Sequence, residues 1–376
     1  MDLTIISTYR CDSKCSMCNI WKYPTLPQEE VDLRTLEKLP NNIDNCNISG
    51  GEPILRKDLM DMVDILAPKS KIMEISTNGL HAEKLVPIVK KYPKIKIRFS
   101  LEGFEKTNNT IRGEEDGFKI KVEGMKKLIE AGGKDLGFGA VIQDTNLDEL
   151  VELYRFCKNL GIEFATSALH NAFQFHKNDN YPYDRLKVAR KIEDLITLQL
   201  RSWSIKNWFR GYLNLGLIEK VLGHPRLIPC IAATGFVFID PWSDVYGCNV
   251  RPDLLMGNLE NQSWGEIWEG EKSKEIRKKV NQCNQNCWMV TTARTAMRNP
   301  KITYLPKNKV MFWVLFNKIK VILGRELCFD NYIDYSKTIN DQNVISRISY
   351  LGVSAKREIT KKDDDHYNHF GDFFNR

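Results

Sequence analysis

Three cysteines fall within eight residues near the start of the chain, Cys11-Asp-Ser-Lys-Cys15-Ser-Met-Cys18, directly after a strand-like run. Three thiolates in one short loop can each bind one iron of a cubane, leaving the fourth iron without a protein ligand. Thiolate ligation suits iron–sulfur clusters, whose potential the protein tunes by burial and hydrogen bonding. Tetrahedral zinc is the alternative, but a closed structural zinc site wants a fourth ligand nearby, and this loop holds neither a fourth Cys nor a His. A second set, Cys230, Cys248, Cys283 and Cys287, reads Cys-x17-Cys-x34-Cys-x3-Cys. Thr234–Asp240 and Asp244–Tyr246 look like two strands of a hairpin turned by Asp240-Pro-Trp-Ser, which would bring Cys230 and Cys248 together at its open end. Cys283 and Cys287 form a tight chelating loop. The four make a closed thiolate site, and ligation alone leaves zinc and iron–sulfur both open. Cys46 and Cys157 fall in a strand and a helix and read as small core residues; Cys328 is left over.

The elements that must position these residues alternate. Strand-like runs at Leu3–Thr8, Asn45–Ser49, Lys71–Ser76, Lys94–Leu101, Gly137–Ile142 and Glu163–Ser167 are separated by helical stretches near Asp32–Leu39, Asp58–Leu66, Ala82–Tyr92, Gly117–Ala131 and Leu147–Leu160. Six strands with five intervening helices imply an α/β fold with a parallel sheet and right-handed crossovers. A partial (β/α) barrel and an open doubly wound sheet both fit, and in either the ligands sit at the carboxyl ends of the strands. Tyr183 to Leu222 is helical. Cys230 to Pro300 reads as short strands, turns and cysteines. Three parts are expected: 1–222, 223–300 and 301–376, the last an apolar helix and a polar tail whose Lys361-Lys-Asp-Asp-Asp-His stretch is expected to be loose.

Bulk composition excludes several classes. The 376 residues carry a net charge of +7, a mild excess for this length, with no basic stripe interleaved with aromatics, so nucleic-acid binding is not expected. No secretory signal is legible, and the longest apolar run, Val310 to Phe316, is far short of the roughly 20 residues of a spanning helix. Ten cysteines, seven of them in two chelating clusters, fit a reducing compartment better than a disulfide framework. The expectation is a cytoplasmic protein.

With four further motifs the first cluster resembles the radical S-adenosylmethionine (SAM) superfamily, whose hallmark is Cys-x3-Cys-x2-Cys after the first barrel strand. Gly50-Gly51-Glu52-Pro53 ends the second strand, Ser76-Thr77-Asn78-Gly79 the third and Ser100-Leu101-Glu102-Gly103 the fourth, and Arg112-Gly113 follows. The resemblance implies a partial (β/α)6 radical SAM barrel with a 4Fe–4S cluster on Cys11, Cys15 and Cys18. It implies that Gly50, Gly51, Glu52 and Pro53 bind the SAM amino group, that Asn78, Ser100 and Glu102 lie near the rest of SAM, and that Arg112 pairs with its carboxylate, a task suited to a bidentate guanidinium. One departure stands out: Met17 occupies the position before the third cysteine, where the family usually has an aromatic. The second cysteine set resembles the SPASM or twitch extensions of these enzymes, including Gly257-Asn258-Leu259 and a helix start at Trp264. That implies a small C-terminal iron–sulfur domain and, with only four cysteines, a single auxiliary 4Fe–4S cluster. An electron donor such as flavodoxin or ferredoxin is implied as partner.

A closed auxiliary cluster would relay an electron, which favours dehydrogenation of the substrate and calls for a general base. Asp240 and His170 are the candidates, with His176, Glu102 and Arg251 facing the same space. The substrate is read as a carbohydrate or other small molecule, because the chain begins at its first strand without an added leader-binding module; the alternatives are a peptide maturase and a non-catalytic zinc-binding scaffold. Residues 306–324 form an apolar helix with Lys309, Asn317, Lys320 and Gly324 on a narrower polar side. Packing on the barrel is the preferred reading, peripheral membrane contact the second.

Overall fold

The computed structural model describes residues 1–303 and 309–337. The polar stretch at 361–366 and the first residues of the apolar helix, 306–308, lie outside them. Six parallel strands, β1 (Asp2–Ile6), β2 (Asn45–Ser49), β3 (Met73–Thr77), β4 (Lys96–Ser100), β5 (Asp135–Ile142) and β6 (Glu163–Ala168), stand side by side in sequence order. That order decides between the two architectures. A doubly wound sheet reverses its strand order at a switch point, whereas a (β/α) barrel adds each strand next to the last.

The crossovers are α1 (Leu33–Glu37), α2 (Leu59–Leu66), α3 (Val86–Lys91), α4 (Glu105–Arg112), α5 (Gly117–Glu130) and α6 (Leu150–Asn159). Each turns an apolar stripe to the sheet. In α6 the buried set is Leu150, Leu153, Tyr154 and Cys157, one face at helical spacing. The exception is α4, Glu-Lys-Thr-Asn-Asn-Thr-Ile-Arg, which buries mainly Asn108, Ile111 and Arg112 and therefore shows no apolar period. Two long antiparallel helices follow the barrel, α7 (Arg185–Arg201) and α8 (Ile205–Leu222).

Beyond Cys230 the chain returns to the sheet. β7 (Phe236–Ile239) pairs in parallel with β1, Ile5 opposite Ile239, and β8 (Asp244–Tyr246) and β9 (Leu255–Asn258) continue antiparallel, giving one nine-stranded sheet. The hairpin expected from sequence is present, but it grows on the barrel's first strand instead of standing apart. The rest of this region is mostly helical, with α9 (Trp264–Glu269), α10 (Glu271–Asn281), α11 (Val290–Arg298) and α12 (Pro300–Thr303), which corrects the expectation of strands and turns. Finally α13 (Val310–Ile322) packs on α7 and α8. Asn317 and Lys318 lie on its inner face, Asn317 accepting from the Tyr332 hydroxyl at 3.2 Å and Lys318 capping the Leu200 and Ser202 carbonyls at 2.9 Å, so Asn317 does not belong to a polar outer side.

Candidate functional site

The loop carrying Cys11, Cys15 and Cys18 leaves the carboxyl end of β1 and is clamped from both sides. On one side the β1–β2 pairing is prolonged past the strands: Gly51 N–H donates to the Thr8 carbonyl and Glu52 N–H to the Arg10 carbonyl, both at 2.7 Å. A β-carbon on Gly51 would lie 2.3 Å from the Arg10 carbonyl oxygen, so only glycine permits this approach. On the other side Lys14 N–H donates to the Arg112 carbonyl and Ser16 N–H to the Ile111 carbonyl, tying the loop to the last turn of α4. Asn78, after β3, reaches in and donates from Nδ2 to Asp12 Oδ1 at 2.5 Å and Ser13 Oγ at 2.9 Å.

The donor set fits a cationic cluster. Burial pushes all three thiols above their ordinary range, Cys18 to about 12, and each of Cys11 and Cys18 is raised further by the neighbouring Cys15. Three recessed thiols that repel one another as anions need a shared positive partner before they can ionise together. Backbone N–H groups of Ser13 and Ile20 hydrogen-bond the Cys11 and Cys18 sulfurs, and the Arg112 cation lies near Cys15. Met17 is buried with its sulfur 3.8 Å from Gln143 Nε2, so a thioether occupies the place of the family's aromatic.

Three of the four motifs do stand at successive strand ends and the fourth, Arg112-Gly113, closes α4, but their carboxylates are turned inward. Glu52 is fully buried: Oε1 accepts from Ile54 N–H and Thr77 Oγ1, and Oε2 from Asn78 N–H at 2.6 Å, so its side chain ties the end of β2 to that of β3. Burial raises its carboxyl to about 7 against those bonds. Pro53 opens the short turn Pro53–Leu55 behind it. Ser100 is the last residue of β4, half-buried beside Gly139 of β5. Glu102 accepts from Val141 N–H at 2.7 Å and from Arg112 at 3.1 Å. Arg112 also donates from Nε to Glu114, which receives Ser13 Oγ at 2.6 Å and the fully buried Lys121 at 2.5 Å. Burial works against the Arg112 charge, yet Cys15, Glu102 and Glu114 hold its pKa above the ordinary value.

Glu114, Lys121 and Ser13 complete a buried charge network that sequence reasoning missed, since nothing in their spacing announces it. Arg112→Ala is expected to destabilise the fold by about 3–5 kcal/mol, because buried Glu102 loses its ion-pair partner and Glu114 keeps only Lys121. Chemical denaturation of the metal-free protein measures this, and an unchanged midpoint would mean that the network is not structural.

The thiols of the second cysteine set influence one another's charge. Cys248 is raised to about 12, by burial first and then by Cys287 and Cys230, and Cys287 in turn senses Cys230 and Cys283. The Val250 N–H lies 3.3 Å from the Cys248 sulfur, and the Arg251 side chain, paired with Asp253, hydrogen-bonds Cys283. Trp288, next to Cys287, is buried against α8, where a β-carbon on Gly216 would fall 2.0 Å from the indole. Cys46 and Cys157 are core residues, and Cys328 is exposed.

The two candidate bases lie at the same end of the sheet but in different settings. Asp240 follows β7 and closes the hairpin turn, Oδ1 accepting from Trp242 and Asp244 N–H at 3.0 Å, with the Tyr246 hydroxyl 3.5 Å from Oδ2. His170 follows β6, its Nδ1 3.1 Å from the Ala168 carbonyl; burial, then the Lys220 ammonium, hold it down to about 3. His176 packs against Tyr9 and Tyr23. The segment that carries both histidines lies over the cysteine loop: Asn19 N–H donates to the Phe175 carbonyl, Asn19 Nδ2 to that of His176, and Asn180 Nδ2 to that of Met17.

Comparison with known proteins agrees with this architecture. Residues 5–157 match the radical SAM superfamily, and residues 230–288 match SPASM, an iron–sulfur cluster-binding domain. The chain is 23% identical over 294 residues to a pre-heme d1 synthase of Dinoroseobacter shibae, covering 70% of this chain and 72% of that protein. It is 25% identical over 292 residues to the sporulation killing factor maturation protein SkfB of Bacillus subtilis, covering 74% and 67%. Among solved structures, anSMEcpe with bound AdoMet and the Cp18Cys peptide superposes with a TM-score of 0.56 at 16% identity, over 86% of this chain and 99% of that one. A 4Fe–4S cluster, SAM and auxiliary iron–sulfur ligation follow from the two matched domains. The barrel with its cysteine loop and the later region with its four thiols therefore belong to one architecture, and the chain is a member of the radical SAM superfamily with a C-terminal SPASM domain.

Proposed function

We propose that this enzyme removes a hydrogen atom from a carbon of a small polar substrate, of the carbohydrate kind, and oxidises it. Cys11, Cys15 and Cys18 would hold the SAM cluster, and Cys230, Cys248, Cys283 and Cys287 one auxiliary 4Fe–4S cluster. When bound, these groups supply a 5′-deoxyadenosyl radical for hydrogen abstraction and an acceptor for the electron that the oxidation releases.

The observation that carries the reading is the parallel pairing of β7 with β1, because it brings the end of the SPASM hairpin beside the start of the cysteine loop. Trp242 from the hairpin turn meets Tyr9 edge-on with ring centroids 5.1 Å apart, and Phe238 and Tyr246 pack with Tyr9 beside Cys11 and Cys18. Because the Glu52 carboxylate is committed to β3, the main chain of Gly50 to Pro53 would receive the SAM amino group. Asn78 and Ser100 would line the adjoining strand ends. Arg112, with five N–H donors, can brace Glu102 and Glu114 and still meet a further anion. Of the two candidate bases we favour Asp240, because it sits on the hairpin turn with Trp242, which meets Tyr9 ahead of the cysteine loop. The covering segment with Asn180 would exclude water, and a covered site suits a small substrate. A flavodoxin or ferredoxin is the donor class that the first cluster requires.

A peptide substrate is the second reading, favoured by the similarity to the sporulation killing factor maturation protein. One experiment addresses both. The low-mass fraction of a cell extract should raise 5′-deoxyadenosine formation above the rate with reductant alone, and the stimulation should survive protease digestion of that fraction. Loss of stimulation on digestion selects the peptide, and no stimulation from any fraction defeats the small-substrate reading.

A further inference from the structure

α13 is apolar on both faces. Val310, Trp313 and Val314 point inward and are buried, whereas Phe312, Leu315, Phe316, Ile319, Ile322 and Leu323 form an outward stripe, each 41 to 66% exposed. Six large apolar side chains uncovered along one helix face form a contiguous patch, not the scattered singles of an ordinary surface. The patch continues past the helix. Trp203 is 82% exposed and lines a cleft of about 600 Å³ together with Arg201, Lys318, Ile322 and Arg325, with Glu326 its one acid.

The charge distribution says what would cover it. The fifty residues from Ile276 to Arg325 contain eleven Lys and Arg and no Asp or Glu, leaving 44 Lys and Arg against all 48 Asp and Glu elsewhere. The whole positive excess of the chain comes from this stretch. Arg294 and Arg298 are spent on Glu74 and Asp2 inside the fold. Lys301, Lys309 and Arg325 are exposed around α13, and the Lys320 ammonium sits 4.5 Å from the ring centre of Phe316. Bases beside an apolar stripe with an exposed tryptophan match the two layers of a bilayer surface, anionic headgroups over acyl chains. A second copy would set these like charges against each other. The tail at 338–376 has six basic and six acidic residues and offers no net anion.

We propose that α13, with Trp203 and Arg325, is a peripheral docking face for an anionic phospholipid bilayer, lying in the interface without crossing it. No helix among the described residues is long and apolar enough to span a membrane. The inference stands independently of the redox reading.

Flotation of the purified full chain tests it. The protein should float with vesicles of phosphatidylglycerol and phosphatidylcholine, and far less with phosphatidylcholine alone or in high salt. Phe316→Glu with Ile319→Glu should lower the bound fraction by roughly tenfold or more, and Lys320→Glu with Arg325→Glu should remove the preference for anionic vesicles. Both pairs are surface changes, so thermal midpoint and cluster absorbance should match the parent. As a readout that needs no destabilising variant, tryptophan emission should shift to the blue on the anionic vesicles, and Trp203→Phe should diminish the shift. Failure of the parent to bind anionic vesicles, or equal binding to neutral ones, overturns the proposal. So does a dimer in vesicle-free solution that the Phe316 and Ile319 changes dissociate.

Discussion

Replacing Cys11, Cys15 and Cys18 together by Ala should leave a folded protein that has lost roughly half of its iron and all detectable cleavage of SAM. The loss in rate should exceed about 10⁶-fold, since the reaction has no other source of catalysis. The fold is expected to survive because the loop is held by bonds that do not involve sulfur: Gly51 and Glu52 to the Thr8 and Arg10 carbonyls, Lys14 and Ser16 to the last turn of α4, and Ser13 to Glu114. Burial of the three thiols works against the thiolate in the metal-free protein, so replacing them with Ala removes no favourable charge. Iron and sulfide analysis, absorbance near 400 nm and 5′-deoxyadenosine by mass spectrometry read the outcome. Unchanged iron, or SAM cleavage at the parental rate, would move the first cluster to other ligands.

How much of this was legible depends on where each signal comes from. The barrel strands were readable because each is a short run between turns with apolar residues at alternate positions, as in Lys96–Ser100, where Ile97 and Phe99 are buried and Lys96, Arg98 and Ser100 are half-buried. The cysteine sets were readable because ligation fixes residue type and spacing. α4 was not, since its buried face is Asn108, Ile111 and Arg112 and its task is to hold the cysteine loop. The β1–β7 pairing joins segments more than two hundred residues apart, and no local pattern encodes which edge a hairpin will join. The backbone hydrogen bonds of Glu52 and Glu102 were hidden for a related reason. A carboxylate at a strand end looks the same in sequence whether it faces a ligand or, as here, satisfies backbone N–H groups of the next strand. On α13, Asn317 counted as polar surface by type, yet it meets Tyr332 inside, and its neighbour Lys318 meets the carbonyls that close α7.

The Cys283→Ala, Cys287→Ala double variant should separate the two clusters by function. Because the residues proposed to hold the first cluster and SAM lie between Cys11 and Arg112, the variant should still form 5′-deoxyadenosine, while oxidised product falls by at least about a hundredfold for want of an electron acceptor. The contacts around the second site support its folding without metal. Trp288 keeps its bond from Nε1 to the Leu213 carbonyl at 2.8 Å and its seat over Gly216, and α11 stays tied to the sheet through Arg294 and Glu74. Removing a metal can remove folding energy, so the thermal midpoint and circular dichroism of the variant must be compared with the parent first. In a folded variant, 5′-deoxyadenosine without product supports electron relay, because a hydrogen atom has been taken and the oxidation left incomplete. Normal product formation would make the four-thiol site a structural staple and end the dehydrogenase reading. Parallel loss of both products with the fold intact would instead show that the second cluster acts before SAM is cleaved, as a relay into the first, and would reverse the direction of electron flow proposed for it.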